Sequence, residues 1–223
     1  MAVTKVGDIL RRCKKVLQEV TQNGTRWANE ELLDWLNESY QAITGIKPDA
    51  SSLNAEITCT VGTKQKIPDD GLMLLDVVRN TTGDGMAVIR TSRAALDSTR
   101  RRWHGEDPQD EVEQFVFDDQ DPRHFYVYPP AMATVKLEVI YASVPLPHAM
   151  TEAKDDSVEV IRLPDAYAPA MVDYILSRAY AKDAEHAANL QRSTMHMQAW
   201  QAALGLKGQV DVAVSPNADG RPA

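Results

Sequence analysis

The hydrophobic period of this chain switches twice, from helical to alternating and back to helical, and that order limits the folds open to it. Val6, Ile9, Leu10, Cys13, Val16, Leu17 and Val20 recur at steps of three and four. They predict an amphipathic helix over residues 4–21 that ends before Asn23-Gly24. Leu32, Leu33, Leu36, Tyr40 and Ile43 repeat the pattern with Trp35 beside them. Asn29 is placed to cap this second helix, Glu30 and Glu31 complement its macrodipole, and Gly45 and Pro48 stop it. The two helices should form an antiparallel pair joined by a short turn, with Trp27 closing its open end.

Past Pro48 the period becomes that of strands. Residues 55–61 alternate, residues 72–79 are apolar and β-branched, and residues 86–90 follow the hairpin signal Asn80-Thr81-Thr82-Gly83-Asp84-Gly85. Ser92 is a helix cap for a short segment through Thr99. Residues 113–117, 123–128 and 134–142 read as three more strands, so one antiparallel sheet of five or six strands is expected, with a last short strand at 158–161. The helical period then returns. Asp165 is expected to cap a helix with Pro169 in its first turn and Met171, Tyr174, Ile175, Ala179 and Tyr180 on its buried side. After a turn near residues 182–185, a further helical segment carries Ala187, Leu190, Thr194, Met197, Trp200, Ala203 and Leu204 and ends at Gly205. From Gly208 on there is no core-forming pattern, and the tail is expected to be disordered unless a partner orders it.

These readings combine into an α+β fold: a bundle of N- and C-terminal α-helices with an inserted small antiparallel β-sheet domain and a flexible C-terminal tail. The expected segments are 1–50 for the first helix pair, 51–162 for the β insertion, 163–205 for the helices that complete the bundle, and 206–223 for an extended tail.

At 223 residues, 43% of them hydrophobic, the chain can bury a substantial core. No apolar run approaches the roughly 20 residues needed to span a bilayer. Lys5, Asp8, Arg11 and Arg12 interrupt the N-terminus where a signal peptide would be continuous, so cytoplasmic synthesis without a membrane segment is expected. The net charge of -8 argues against a free-standing nucleic-acid binder. Residues 51–150 are the most acidic, with 15 acidic and 10 basic side chains.

Catalytic and metal-binding patterns do not emerge. Cys13 and Cys59 have no cysteine or histidine at ligand spacing and read as small buried hydrophobes. His104, His124, His148, His186 and His196 lie on separate elements and show no HxxxH or HExxH spacing, so no metal site is expected. Residues 118–121 lack the ligand alternation and glycine of an EF-hand and read as a solvated turn before Pro122. There is no GxSxG elbow and no glycine-rich phosphate cradle, and Asp69-Asp70 and Asp155-Asp156 sit in turn-rich stretches. No cofactor and no enzymatic activity are expected.

One compact basic and aromatic cluster, Arg100, Arg101, Arg102 and Trp103, followed by His104, has two readings. As a surface it would contact nucleic acid or an acidic patch on a partner, with the indole as anchor. As structure it is a helix end with arginines beside the terminal carbonyls and Trp103 tucked into the core. A neighbouring copy, whose 106–113 loop is acidic, is the first partner to consider. Trp27, Leu32, Trp35, Leu36, Tyr174 and Tyr180 are assigned to packing within the helix bundle, with any aromatic surface left over available for subunit contact.

The helix pair joined by Gly24-Thr25-Arg26-Trp27, with Glu31-Leu32-Leu33-Asp34-Trp35-Leu36-Asn37 and the stop at Lys47-Pro48-Asp49, resembles the N-terminal signature of head-to-tail adaptor proteins of tailed bacteriophages. Leu163-Pro164-Asp165-Ala166-Tyr167, then the run from Asp173-Tyr174-Ile175-Leu176 on to His196 and Trp200, resemble that family's C-terminal helices. The strands through Tyr128-Pro129-Pro130 and Val139-Ile140-Tyr141 are similar to its middle sheet; the 100–113 stretch matches least. The resemblance implies a virion protein at the head-tail junction. It would assemble as a homo-oligomeric ring, usually of 12 copies, under the portal protein, extending the DNA channel and offering a platform to a tail tube, nozzle or next tail component. Genomic DNA would pass through the lumen without sequence-specific binding. The resemblance further implies a C-terminal extension that reaches into the portal, here Leu206, Lys207, Val210, Val212 and Val214. The alternative is a nucleic-acid-binding module that uses Arg100 to Trp103.

Overall fold

The structure is a computed structural model that describes residues 2–183 and 187–214, the side chains of 187 and 206–214 excepted. Among the described residues are α1 (Val6–Leu17), α2 (Asn29–Ile46), α3 (Arg93–Thr99), α4 (Ala168–Lys182) and α5 (Ala187–Val214). The strands are β1 (Ser52–Thr58), β2 (Gly62–Lys66), β3 (Gly71–Asn80), β4 (Ile89–Arg90), β5 (Gln114–Phe117), β6 (His124–Ala131) and β7 (Lys136–Ser143). The chain divides into two compact units, one of Met1–Lys47 with Pro145–Ala223 and one of Pro48–Val144. It is an α+β fold with a β unit inserted into a bundle of terminal helices.

In the helical unit α4 is the hub, packing on α1, α2 and α5. Val6, Ile9, Leu10 and Cys13 of α1, Leu32, Leu33, Leu36 and Ile43 of α2, and Met171 and Ile175 of α4 are fully buried. Each large aliphatic side chain contributes about 1.5–3 kcal/mol by leaving water. The α1–α2 turn is built around a carboxylate. Glu19 accepts from the Thr21 hydroxyl at 2.6 Å and from the Thr25 and Arg26 amides at 3.0 Å each, and these bonds, the Thr21 one foremost, hold its pKa down to about 2. Gly24 has φ +77°, and a Cβ there would lie 2.0 Å from the Trp27 carbonyl, so only glycine fits.

The segment returning from the β unit is laced to α1. Val6 N–H donates to the Glu159 carbonyl and Ile161 N–H to the Thr4 carbonyl, with Lys5 and Val160 bridged antiparallel. The Lys14 ammonium, nearly buried, donates to both carboxylate oxygens of Asp155, at 3.0 and 2.8 Å, and to the Gln22 carbonyl at 2.7 Å. Gly7 lets this segment approach, since a Cβ would meet the Asp155 carbonyl at 2.5 Å.

Several details differ from the sequence reading. Asn29 is the first residue of α2, not its cap; Ala28 takes the cap position, and the Asn29 amide donates to the Gln22 carbonyl and to Asp155. Asp165 accepts from the Val3 and Thr4 amides, and α4 starts later, at Ala168 with Pro169 in its first turn. Residues 158–161 form one bridge rather than a strand. α4 ends at Lys182 and α5 begins at Ala187, so the helices separate where a turn was expected, with 184–186 outside the described residues. α5 does not stop at Gly205 but runs to Val214, and the tail beyond it, 215–223, lies outside the described residues. Residues 145–162 group with the helices, whereas the sequence reading placed them with the insertion.

The β unit contains two sheets where one was expected. The first has the order β1-β7-β3 and the second β2-β6-β5-β4; all pairs are antiparallel except β4 with β5. Leu74, Val77, Phe115, Phe125, Val127, Leu137 and Val139 form their common core with Cys59. Burial pushes the Cys59 thiol up to about 12 and the Cys13 thiol well above its ordinary range, so both remain inert thiols.

Removing one partner of the Lys14–Asp155 pair strands a nearly buried charge. Asp155→Ala is expected to lower stability by about 3 kcal/mol, while the double substitution Lys14→Met with Asp155→Leu recovers most of that loss. Urea denaturation midpoints of the three chains check this; equal midpoints would refute it.

Candidate functional site

The basic cluster is assembled at the end of α3, which Ser92 caps by accepting from the Ala95 amide at 3.2 Å. Trp103 is fully buried with Leu96, Val116 and Tyr128, and its indole N–H donates to Asp97 at 2.9 Å. His104 stacks on it at 3.6 Å, with Tyr126 edge-on to both rings, and His104 Nδ1 lies 2.8 Å from the Thr63 hydroxyl. Trp103 is therefore a core residue, not an exposed anchor. The arginines divide. Arg100 lies 5.1 Å over the Tyr128 ring and 4.0 Å from Glu106. Arg101 and Arg102 are exposed, and among the described residues neither has an ion-pair partner.

The acidic loop beside them is fixed from within. Fully buried Asn80 donates to the Val112 carbonyl at 2.8 Å and accepts from the Val112 amide at 2.9 Å, which plants Val112 in the core; Asp107, Asp110 and Glu113 are exposed, and half-buried Glu111 accepts from the Asp84 amide. Sequence reasoning used Asn80 only as a hairpin marker. An asparagine at the end of an apolar strand was the available signal for a buried amide clamp.

In the helical unit the assigned packing residues converge on α4. Leu32 and Leu36 are fully buried. Trp27 donates its indole N–H to the Ala179 carbonyl at 3.2 Å, so it packs on α4. Tyr174 lies 5.4 Å from Trp200, and Arg178, paired to Glu38, sits 5.3 Å from the Tyr174 ring centre. Tyr180 stacks on His196, which pairs with Asp173 at 2.9 Å. Trp35 is only half-buried and keeps aromatic surface for contact. Leu206, Lys207, Val210, Val212 and Val214 lie on the backbone of α5, with their side chains outside the described residues, as is His186.

Sequence reasoning also missed a buried polar cluster on the return segment. Asn37 grips the His148 backbone on both sides, at 2.8 and 3.2 Å, and Tyr40 Oη lies 2.8 Å from His148 Nε2 while accepting from the Arg162 amide at 3.3 Å. His148 Nδ1 is 3.2 Å from Glu159. Burial pushes the Tyr40 hydroxyl up and His148 down, the latter against the pull of Glu159.

What is built here is a set of packed faces: a helical bundle locked around α4, and a β unit that presents unpaired arginines next to an acidic loop. That is the make-up of a structural adaptor, a protein that works through its surfaces. Residues 4–220, nearly the whole chain, match the family model described as SU10 adaptor protein. The chain belongs to that family and is a head-to-tail adaptor of bacteriophages, a structural virion component. No curated protein matches it in sequence. Among the described residues no helix is long and apolar enough to cross a membrane.

Two outcomes follow. Trp103→Ala should destabilise the chain by about 3–5 kcal/mol, whereas Arg101→Ala and Arg102→Ala should stay within about 0.5 kcal/mol, as measured by denaturant midpoints. His148 is also a source of pH dependence. Its native pKa is depressed, so below its ordinary value of about 6.5 the unfolded chain binds the proton that the native one resists. Stability is full above that pH and falls below it, by at most about 1.4 kcal/mol per pH unit. Urea unfolding between pH 5 and 7.5 should show this slope, and His148→Gln should flatten it.

Proposed function

We propose that this adaptor works as a ring of copies, 12 by resemblance to its family, seated under the portal protein. There it extends the DNA channel and offers a docking platform to a tail tube, nozzle or next tail component. The observation that carries the reading is the family match over residues 4–220, which includes the C-terminal segment. The helical bundle forms the ring wall, and the C-terminal segment from Leu206 through Val214 reaches the portal. The form of α5 supports that reach: 28 residues of continuous helix span about 42 Å and carry Lys207, Val210 and Val212 past Leu204, the last buried residue among those whose side chains are described. Arg100, Arg101 and Arg102 serve subunit or tail contact, with the acidic 106–113 loop of a neighbouring copy as the complementary surface.

The charge balance fits a conduit. With a net charge of -8, a wall of this protein repels DNA phosphates and lets the genome slide without a grip. A ring structure with a basic lumen would overturn that part.

Deleting residues 206–223 should remove only the helix signal of residues 206–214 and leave the melting temperature close to that of the full chain while abolishing co-sedimentation with purified portal. Undiminished portal binding by the truncated chain would show that the assignment of this segment is wrong.

A further inference from the structure

The helical unit carries two exposed apolar faces on different elements. The first is the outer side of α5. Asn189, Ser193, His196, Trp200 and Leu204 face inward, with Ser193 donating to the Ser177 carbonyl at 2.8 Å. Opposite them Leu190, Gln191, Thr194, Met195 and Gln198 line a shallow groove of about 500 Å³, with Leu190 56% and Met195 57% exposed. Between residues 187 and 205 the only arginine or lysine is Arg192, and its guanidinium sits 5.6 Å over the Tyr180 ring. None of the residues lining this groove carries a charge, so it has no cation to hold a phosphate.

The second face is the ladder formed by the N-terminus and the return segment. Because Lys5 pairs antiparallel with Val160, side chains alternate on both segments. Thr4, Val6 and Ile161 turn inward. Val3 at 75% exposure, Val158 at 72% and Val160 at 41% turn outward between Lys5 and Arg162. Grouped exposed apolar side chains of this kind mark contact surfaces.

We propose that the groove on α5 receives the Val3, Val158 and Val160 ladder of the next copy of the chain. Two features select a second copy as occupant. The faces match in character: apolar centres meet, while the amides of Gln191 and Gln198 offer oxygen acceptors to the flanking Lys5 and Arg162. Both faces also belong to the same unit, so each copy gives one and receives the other. That is a heterologous contact, and it closes into a ring when the rotation per subunit divides a full turn. A partner of another kind would cover one face and leave the other in water. The inference rests on the ring reading above and names the contact that builds the ring.

The test uses the full-length chain with Met195→Cys and Val158→Cys, free at high micromolar concentration and with purified portal, treated with a short bismaleimide. Cys13 and Cys59 are buried, so the unsubstituted chain is the unreactive control. The double variant should give a ladder of covalent dimers, trimers and higher species, and an equal mixture of the two single variants should stop at dimers. Monomers alone in both conditions would overturn the proposal, as would dimers from Met195→Cys by itself, which indicate a face-to-face contact. Native mass of the unsubstituted chain on the portal separates the two readings. A ring there without a ladder from the double variant rejects this contact and keeps the ring; no ring there rejects the reading beneath it.

Discussion

The bundle depends on an ion pair between residues 141 positions apart, Lys14 on α1 and Asp155 on the return segment. A lysine nearly out of water is tolerable only if its donors are satisfied, and here two carboxylate oxygens and the Gln22 carbonyl do so. The same carboxylate accepts from Asn29 at the start of α2, so one side chain ties α1, α2 and the returning chain together. Around it the approach is steric: Gly7 leaves room for the Asp155 carbonyl, and Asp165 collects the Val3 and Thr4 amides. A chain that leaves the bundle for about a hundred residues must re-enter in one register. Non-directional apolar packing of α4 would tolerate several, and a charged, hydrogen-bonded junction tolerates few.

Much of this fold is legible by period. α1, α2, the capped α3 and α4 follow from apolar spacing and from Ser92, because an amphipathic stripe has one efficient way to leave water, whereas the break after Lys182 is not fixed by period. The losses have physical causes. Nothing in the local pattern marks Lys14 as buried, because lysine rarely is, and only a partner far away in sequence places it there. Gly62–Lys66 has almost no apolar residue, yet it pairs as β2 with β6. Its strand character comes from the ladder partner and not from its own side chains. Gly205 and Gly208 looked like stops, but each costs a helix only about 1 kcal/mol relative to alanine. The stronger breaker in the sequence is Pro216, two residues past Val214.

The candidate surfaces were legible only in outline. Composition located the arginine cluster but could not divide it. Trp103 is consumed by the core and by Asp97, exposed Arg100 is engaged by Tyr128 and Glu106, and among the described residues Arg101 and Arg102 are left without an ion-pair partner. The acidic loop next to it depends on Asn80, whose clamp on Val112 is a tertiary fact with no local pattern. His148 likewise looked like one of five scattered histidines. Its role comes from Asn37 and Tyr40, 111 and 108 positions away, and from the burial that disfavours its charged form.

An adaptor must fold as a separate chain and still keep faces that are stable only when covered. The helical unit meets these demands by dividing its helices. α4 packs against α1, α2 and α5 and supplies stability, whereas α5 gives one side to α4 and, over residues 188–205, leaves a nearly charge-free side outward. An amphipathic helix needs one apolar stripe, and a helix with apolar side chains on both sides has a second use for them. The absence of a dominant hydrophobic side over residues 188–205 of α5, which weakens it as a sequence signal, is thus the property that suits it to the contact proposed above.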